Sequence, residues 1–152
     1  MTSVADEIKK AIDTLGLDET DFRKIAEEDS GKLINEFIET FVDGGDRRWW
    51  WEAFKMEPVQ SITPRQNPYK LLVSIVPDPC EKLWFVVEDH SLSHYPVYEG
   101  NARVVTEVIG ECFGFEYYLI LKNMQWLLCE NHHSMLVGSG EEIVNGLIKH
   151  VT

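Results

Sequence analysis

The sequence is poor in cysteine and in basic residues, and it contains no long apolar run. Its 152 residues hold three cysteines, Cys80, Cys112 and Cys129. The count is odd, no Cys-x-x-Cys occurs, and Cys129 sits among apolar neighbours, so neither a disulfide framework nor a zinc knuckle is expected. Reduced thiols fit a cytoplasmic protein. No apolar run approaches the roughly 20 residues that span a bilayer, and the N-terminal residues lack the basic-then-apolar pattern of a secretion signal. Lys and Arg number 14 against 26 Asp and Glu, a net charge of −12 with His neutral. An acidic surface repels phosphate backbones and anionic membranes, so neither nucleic acid nor membrane is an expected partner. Signature motifs are missing too. Residues 138–140, the only glycine-rich stretch, are too short for a phosphate loop and lack its lysine. Gly138-Ser139-Gly140 does not have the spacing of a serine elbow. No cofactor is implied.

What is present describes a globular α+β chain. Hydrophobic residues make up 44% and charged residues 26%, an ordinary balance for a folded domain. The length suits one domain over 1–152, with a helical part at 1–45 and a sheet-containing part at 46–152. Thirteen of the acidic and five of the basic residues lie in 1–46, a net of −8. That places most of the acidity on the outer face of the N-terminal helices.

Hydrophobic periodicity sets the elements. Val4, Ile8, Ala11, Ile12 and Leu15 share one face of a first helix, with Ser3 as its cap and Gly16 as its stop. Asp18 is an expected cap for a second helical region whose apolar face starts at Phe22, Ile25 and Ala26. That face resumes at Leu33, Ile34, Phe37, Ile38 and Phe41, after Asp29-Ser30-Gly31, a kink or a division. Residues 57–69 read as loop. Residues 69–76 and 83–89 read as two strands of a hairpin, and residues 90–100 as loop. Residues 101–112 form a middle helix. Residues 116–121 and 125–130 form a second hairpin with its turn at Lys122-Asn123-Met124, and residues 135–137 add a short strand. A last helix follows, capped by Ser139. Strands that come in hairpins predict a mostly antiparallel sheet of four to five strands, with two N-terminal helices, one middle helix and a C-terminal helix.

Two stretches hold the candidate site residues. In Arg47-Arg48-Trp49-Trp50-Trp51, three consecutive tryptophans cannot all face inward on a strand or helix. One must be partly exposed, and Trp with Arg is the usual composition of an interface anchor. Alternatively the rings are lids on a core, with Arg stacked on them. The second stretch is Glu130, His132 and His133, together with Asp89 and His90 at the end of another strand. Carboxylates and imidazoles make acid–base pairs and metal ligands, with Glu130 and His132 as the metal candidates. No His-Glu-x-x-His is present. On an extended chain His132 and His133 point to opposite sides, so only one would face a given site unless a turn intervenes. Arg103 opens the middle helix, where a cation is disfavoured without an anionic partner.

The residues 126–141, WLLCENHHSMLVGSGE, with the preceding FEYYLILK, resemble a family of small, acidic, uncharacterised bacterial proteins, a domain of unknown function. The resemblance extends from about Lys70 onward. It implies a bacterial, cytosolic, single-domain protein and transfers no catalytic residues. In size, acidity and element order the chain is also similar to the immunity proteins that neutralise bacterial toxins. With no complete catalytic set, the sequence favours a non-enzymatic cytosolic module that binds a basic protein partner through an acidic helical face and Trp49 to Trp51. The alternative is a metal-binding protein or hydrolase with a site at Asp89, His90, Glu130 and His132.

Overall fold

The computed structural model describes residues 3–46 and 48–150; Arg47 lies outside them. Among the described residues, seven strands form one antiparallel sheet and five α-helices pack on it. The elements in chain order are α1 (Val4–Leu15), β1 (Phe22–Lys24), α2 (Glu27–Phe41), β2 (Val59–Ile62), α3 (Leu72–Ile75), β3 (Leu83–Val87), β4 (Val97–Gly100), α4 (Ala102–Gly110), β5 (Tyr117–Leu121), β6 (Leu127–Glu130), β7 (Leu136–Ser139) and α5 (Glu141–Ile148). The strand order is β1-β4-β3-β5-β6-β7-β2. No helix is long and apolar enough to cross a membrane among these residues.

Local signals account for several elements directly. The Ser3 hydroxyl accepts from the Asp6 amide at 3.1 Å and starts α1. Gly16, at φ 67°, ends α1 in the left-handed conformation that glycine adopts without strain. Asn101 caps α4 by accepting from the Val104 amide at 2.9 Å. The turn after β5 puts its positive φ, 64°, on Met124 rather than Asn123, whose side chain instead accepts from the Gln125 amide.

Other expectations are corrected. Residues 69–76 are not a strand. They form a 3₁₀ turn, Pro68–Leu71, followed by α3. Leu72, Ile75 and Val76 are the buried members, a three- and four-residue spacing that suits a helix, and a short apolar run alone does not separate the two. The hairpin partner of β3 is therefore β4, on the far side of the loop, with Leu83 opposite Gly100. The second helical region begins with β1, not with a helix capped by Asp18, and α2 then runs unbroken through Ser30 and Gly31. The Ser30 hydroxyl donates to the Glu27 carbonyl, and the His94 ring packs where a Cβ on Gly31 would point. Gly31 is thus small for a neighbour and does not break the helix. The span 57–69 contains β2, paired with β7. Ser139 does not cap α5. It ends β7 and donates to the Met56 carbonyl at 2.7 Å, while Gly140 takes the cap position.

Strand parity divides the interior into two layers. Leu83, Phe85, Val87, Tyr117 and Leu119 face a core completed by residues of α1, α3, α4 and α5. Val86, Tyr118, Ile120, Leu127 and Cys129 face a second core completed by Ile34, Phe37, Ile38 and Phe41 of α2 and by Trp50. In the first layer, a Cβ on Gly146 would overlap the Ile75 carbonyl, so α5 and α3 meet backbone to backbone. Gly146→Ala is expected to cost about 1–3 kcal/mol through overpacking. Chemical denaturation reads this, and an unchanged midpoint would refute the close approach.

Candidate functional site

One end of the sheet, on the α2 side, carries polar residues in place of apolar ones. Val87 pairs with Tyr117, so the next residues outward, Glu88 and Glu116, are direct cross-strand neighbours. The Glu88 amide donates to the Glu116 carbonyl at 3.0 Å. Both side chains project to the face that holds Val86 and Tyr118, because side chains alternate along a strand.

Glu116 is buried, its side chain 2% exposed. One carboxylate oxygen accepts from the His132 amide and from His132 Nδ1, each at 3.0 Å, and the other accepts from the Tyr118 hydroxyl at 3.2 Å. A ring nitrogen this close to a carboxylate oxygen donates to it, so Nδ1 carries a hydrogen here. Glu88 lies against the Glu116 carboxyl. Burial first, and then the contact with Glu116, push its pKa up to about 8, while Arg48 opposes the shift. Two carboxyl groups side by side do not both ionise readily, so the shift favours a protonated Glu88 at neutral pH, and its Oε2 is buried without a hydrogen-bond partner. The other Glu88 oxygen lies 3.0 Å from His90 Nε2. The Tyr95 hydroxyl stands beside His90, and burial, followed by the charges of Glu88 and Glu116, raises its pKa.

Aromatic rings cover this polar end. Trp50 is buried and packs on Tyr118 at 4.7 Å and on Tyr95 at 5.5 Å between centroids. Trp49 and Trp51 are half-buried. The His132 ring lies 5.4 Å from Trp49 and 5.9 Å from Trp51, and the His133 ring meets Trp51 edge-on at 6.0 Å. The Arg48 guanidinium sits over Trp49, 5.3 Å from the ring centroid. The run therefore divides its rings, with one as a lid on the core and two at the surface.

Beside the rings runs a groove of about 1140 Å³ between α2 and residues 88–96. Glu27, Glu28, Lys32 and Asn35 line one wall, and Arg48, His90, His94 and Tyr95 line the other. His94 Nε2 lies 2.9 Å from the buried Ser30 hydroxyl and ties the loop to the helix.

The residues singled out from the sequence are partly brought together. His132 and His133 do meet, with centroids 4.1 Å apart. The turn that would let both face one side is present at residues 131–135, with Ser134 at φ 59° and the Asn131 side chain accepting from the His133 and Met135 amides. Glu130 does not join them. It is one residue out of phase, faces the other layer, and accepts from the Tyr117 hydroxyl at 2.8 Å. Burial raises its pKa, against the Tyr117 hydrogen bond. Asp89 turns back to accept from the Ser91 amide and hydroxyl. Asp89, His90, Glu130 and His132 thus do not form one cluster. Arg103 is exposed on the first turn of α4, on the far side of the sheet from the rings, and pairs with no carboxylate among the described residues. Among these residues no three His, Cys, Asp or Glu side chains are grouped to hold a metal ion, and Glu130 and His132 lie on opposite faces. The carboxylates that do meet are Glu88, one position before Asp89, and Glu116, at the start of the strand 116–121; neither is a candidate in the sequence, and only the β3–β5 register reveals them.

A family model described as Family of unknown function (DUF6756) matches residues 1–150, so the likeness reaches across the N-terminal helices as well as the C-terminal half. No curated protein matches the chain.

Proposed function

The chain belongs to that family of unknown function, and we propose that it is a cytosolic protein-binding module that docks a basic segment of a partner along α2 and against Trp49 and Trp51. One observation carries the reading. The exposed acidic face of α2, with Glu27, Glu28, Glu36 and Glu39, lies on the same side of the sheet as the two half-buried tryptophans, and the groove runs from Glu27 and Glu28 to Arg48, whose guanidinium covers Trp49. Acidic side chains steer a basic partner and speed its encounter, while aromatic rings with Arg anchor it. A basic toxin or nuclease domain is a partner of this chemistry.

The acidity of residues 1–46 is not one surface. α1 packs in the layer of α4 and α5, and α2 in the layer of Trp50. Only α2 borders the groove, which gives the test its control. With Lys- and Arg-rich peptides as probes and tryptophan fluorescence as readout, Glu27→Lys with Glu28→Lys is expected to weaken binding at least about tenfold. Asp6→Lys with Asp13→Lys, the same charge change on α1, is expected to leave it nearly unchanged. High salt weakens the wild-type interaction. Equal losses from both charge reversals, or binding indifferent to salt, would sink the proposal.

A further inference from the structure

His132 is held in the way a metal-ligating histidine is held. Its Nδ1 and its backbone amide both donate to one oxygen of Glu116, each at 3.0 Å, and the Glu116 side chain is 2% exposed. The other Glu116 oxygen accepts from the Tyr118 hydroxyl, which fixes the carboxylate from behind. A histidine that binds a metal through one ring nitrogen almost always gives its other N–H to a carboxylate or carbonyl, which sets the tautomer and makes the free nitrogen a better ligand. In His132 the free nitrogen is Nε2. Its side chain is 44% exposed, and no hydrogen bond takes Nε2 among the described residues.

His133 supplies a second nitrogen donor. Its ring is exposed and lies 4.1 Å from the His132 ring between centroids, and no hydrogen bond takes its ring nitrogens among the described residues. The turn that sets the two side by side is fixed from within. The buried Asn131 side chain accepts from the His133 and Met135 amides, and Ser134 holds a left-handed φ of 59°. Two imidazoles on one ion, each about 2.1 Å from it through nitrogen, have ring centroids about 5 Å apart. The pair therefore needs to open by only about an ångström. Imidazole nitrogen suits Zn²⁺, Ni²⁺ and Cu²⁺, whereas Mg²⁺ and Ca²⁺ take oxygen ligands. We propose that His132 Nε2 and the His133 ring bind a divalent ion of the zinc class, with Glu116 as the positioning carboxylate behind His132. Two protein ligands leave half of a tetrahedral ion open to water. Glu130, on the opposite face of the sheet, takes no part. The site does not depend on the docking of a basic segment along α2.

Trp49 and Trp51 report the ion, because their rings lie 5.4 Å and 5.9 Å from the His132 ring and Ni²⁺ quenches indole fluorescence at short range. Ni²⁺ titrated into the free protein at neutral pH is expected to quench to a plateau at one ion per chain, and Zn²⁺ is expected to compete it away and restore the fluorescence. His133→Ala changes an exposed side chain, leaves the fold intact and removes the plateau, as does His132→Ala. His150→Ala, on a histidine bonded to Ser74 instead, leaves it unchanged. Glu116→Gln keeps an acceptor for the His132 N–H groups but loses the charge, and is expected to weaken binding about tenfold or more. Circular dichroism checks that this variant is folded. A wild-type protein with no saturable quenching overturns the site. So does a plateau that survives His133→Ala, a result that needs no change to Glu116. A folded Glu116→Gln variant with wild-type affinity would mean an adventitious surface pair only. A failure to bind basic peptides would refute the docking proposal and leave these outcomes untouched.

Discussion

Truncation of Trp50 to alanine is expected to lower the unfolding free energy by about 3–5 kcal/mol, the usual cost of emptying a buried aromatic site. Trp50 is 1% exposed and closes the α2-side core over Tyr118. Its neighbours come from α2, β5 and the 88–96 loop, elements far apart in sequence, so the cavity would not be refilled by a local shift. The indole also carries a cost of its own. Nε1 is buried and donates to no acceptor among the described residues, and an unsatisfied buried donor costs about 1–3 kcal/mol. Trp50→Phe removes that donor while keeping most of the ring, so its net cost should stay within about 1 kcal/mol. Urea unfolding of both variants separates the terms. If phenylalanine costs as much as alanine, the indole nitrogen has a partner and the account of this position is wrong.

The second large effect is a dependence of stability on pH that is specific to Glu88. Its folded-state pKa, about 8, is raised above the ordinary 4.5. A raised carboxyl pKa means that the folded state binds the proton more tightly than the unfolded state. Below about pH 4.5 both states are protonated and Glu88 costs nothing. As pH rises from there to 8 the unfolded state gains by ionising first, and above 8 the full penalty is in place. Each pKa unit is about 1.4 kcal/mol. Because Glu88 is partly open to solvent, a discounted figure of about 2–3 kcal/mol is expected. Glu88→Gln should therefore match the wild type in acid and exceed it by that amount at mildly alkaline pH, a gain of several degrees in melting temperature. Glu130, whose pKa is also raised, is present in both proteins and cancels in the difference. A constant gap between the two curves across this pH range would show that the Glu88 pKa is not raised in the folded state.

The sequence located its polar cluster at the correct ends of strands but assigned the wrong carboxylates to it. Glu130 and His132 are close in the chain, and Asp89 and His90 are adjacent, so proximity in sequence suggested a set. In the folded protein each strand side chain faces one layer only. Glu130 is one residue out of phase with Cys129 and points to the α4 and α5 side. Glu116 lies fourteen positions earlier and supplies the carboxylate that His132 meets. No periodicity within residues 126–133 contains that information, because it depends on which strand lies alongside and in what register. The same reason hid β1 and β2. These edge strands show polar or exposed faces, with burial confined to Phe22 in one and Ile62 in the other. They are strands only because β4 and β7 offer them hydrogen-bonding partners.

The sequence by itself determined what neighbouring residues decide among themselves. It set the amphipathic faces and caps of α1 and α4, the apolar strands at the centre of the sheet, the α+β class, the excess of acidic charge, and the rule that three successive tryptophans could not all be inside. Tertiary structure decided what depends on distant partners. It folded the apolar run before β3 into α3, split the acidic N-terminal region between two layers, turned His133 back beside His132, and set Glu88 against Glu116. Helical spacing and capping are encoded within a few residues. The apposition of two carboxylates 28 positions apart exists only after β3 and β5 have paired, and the burial that raises the Glu88 pKa arrives with the packing on that face.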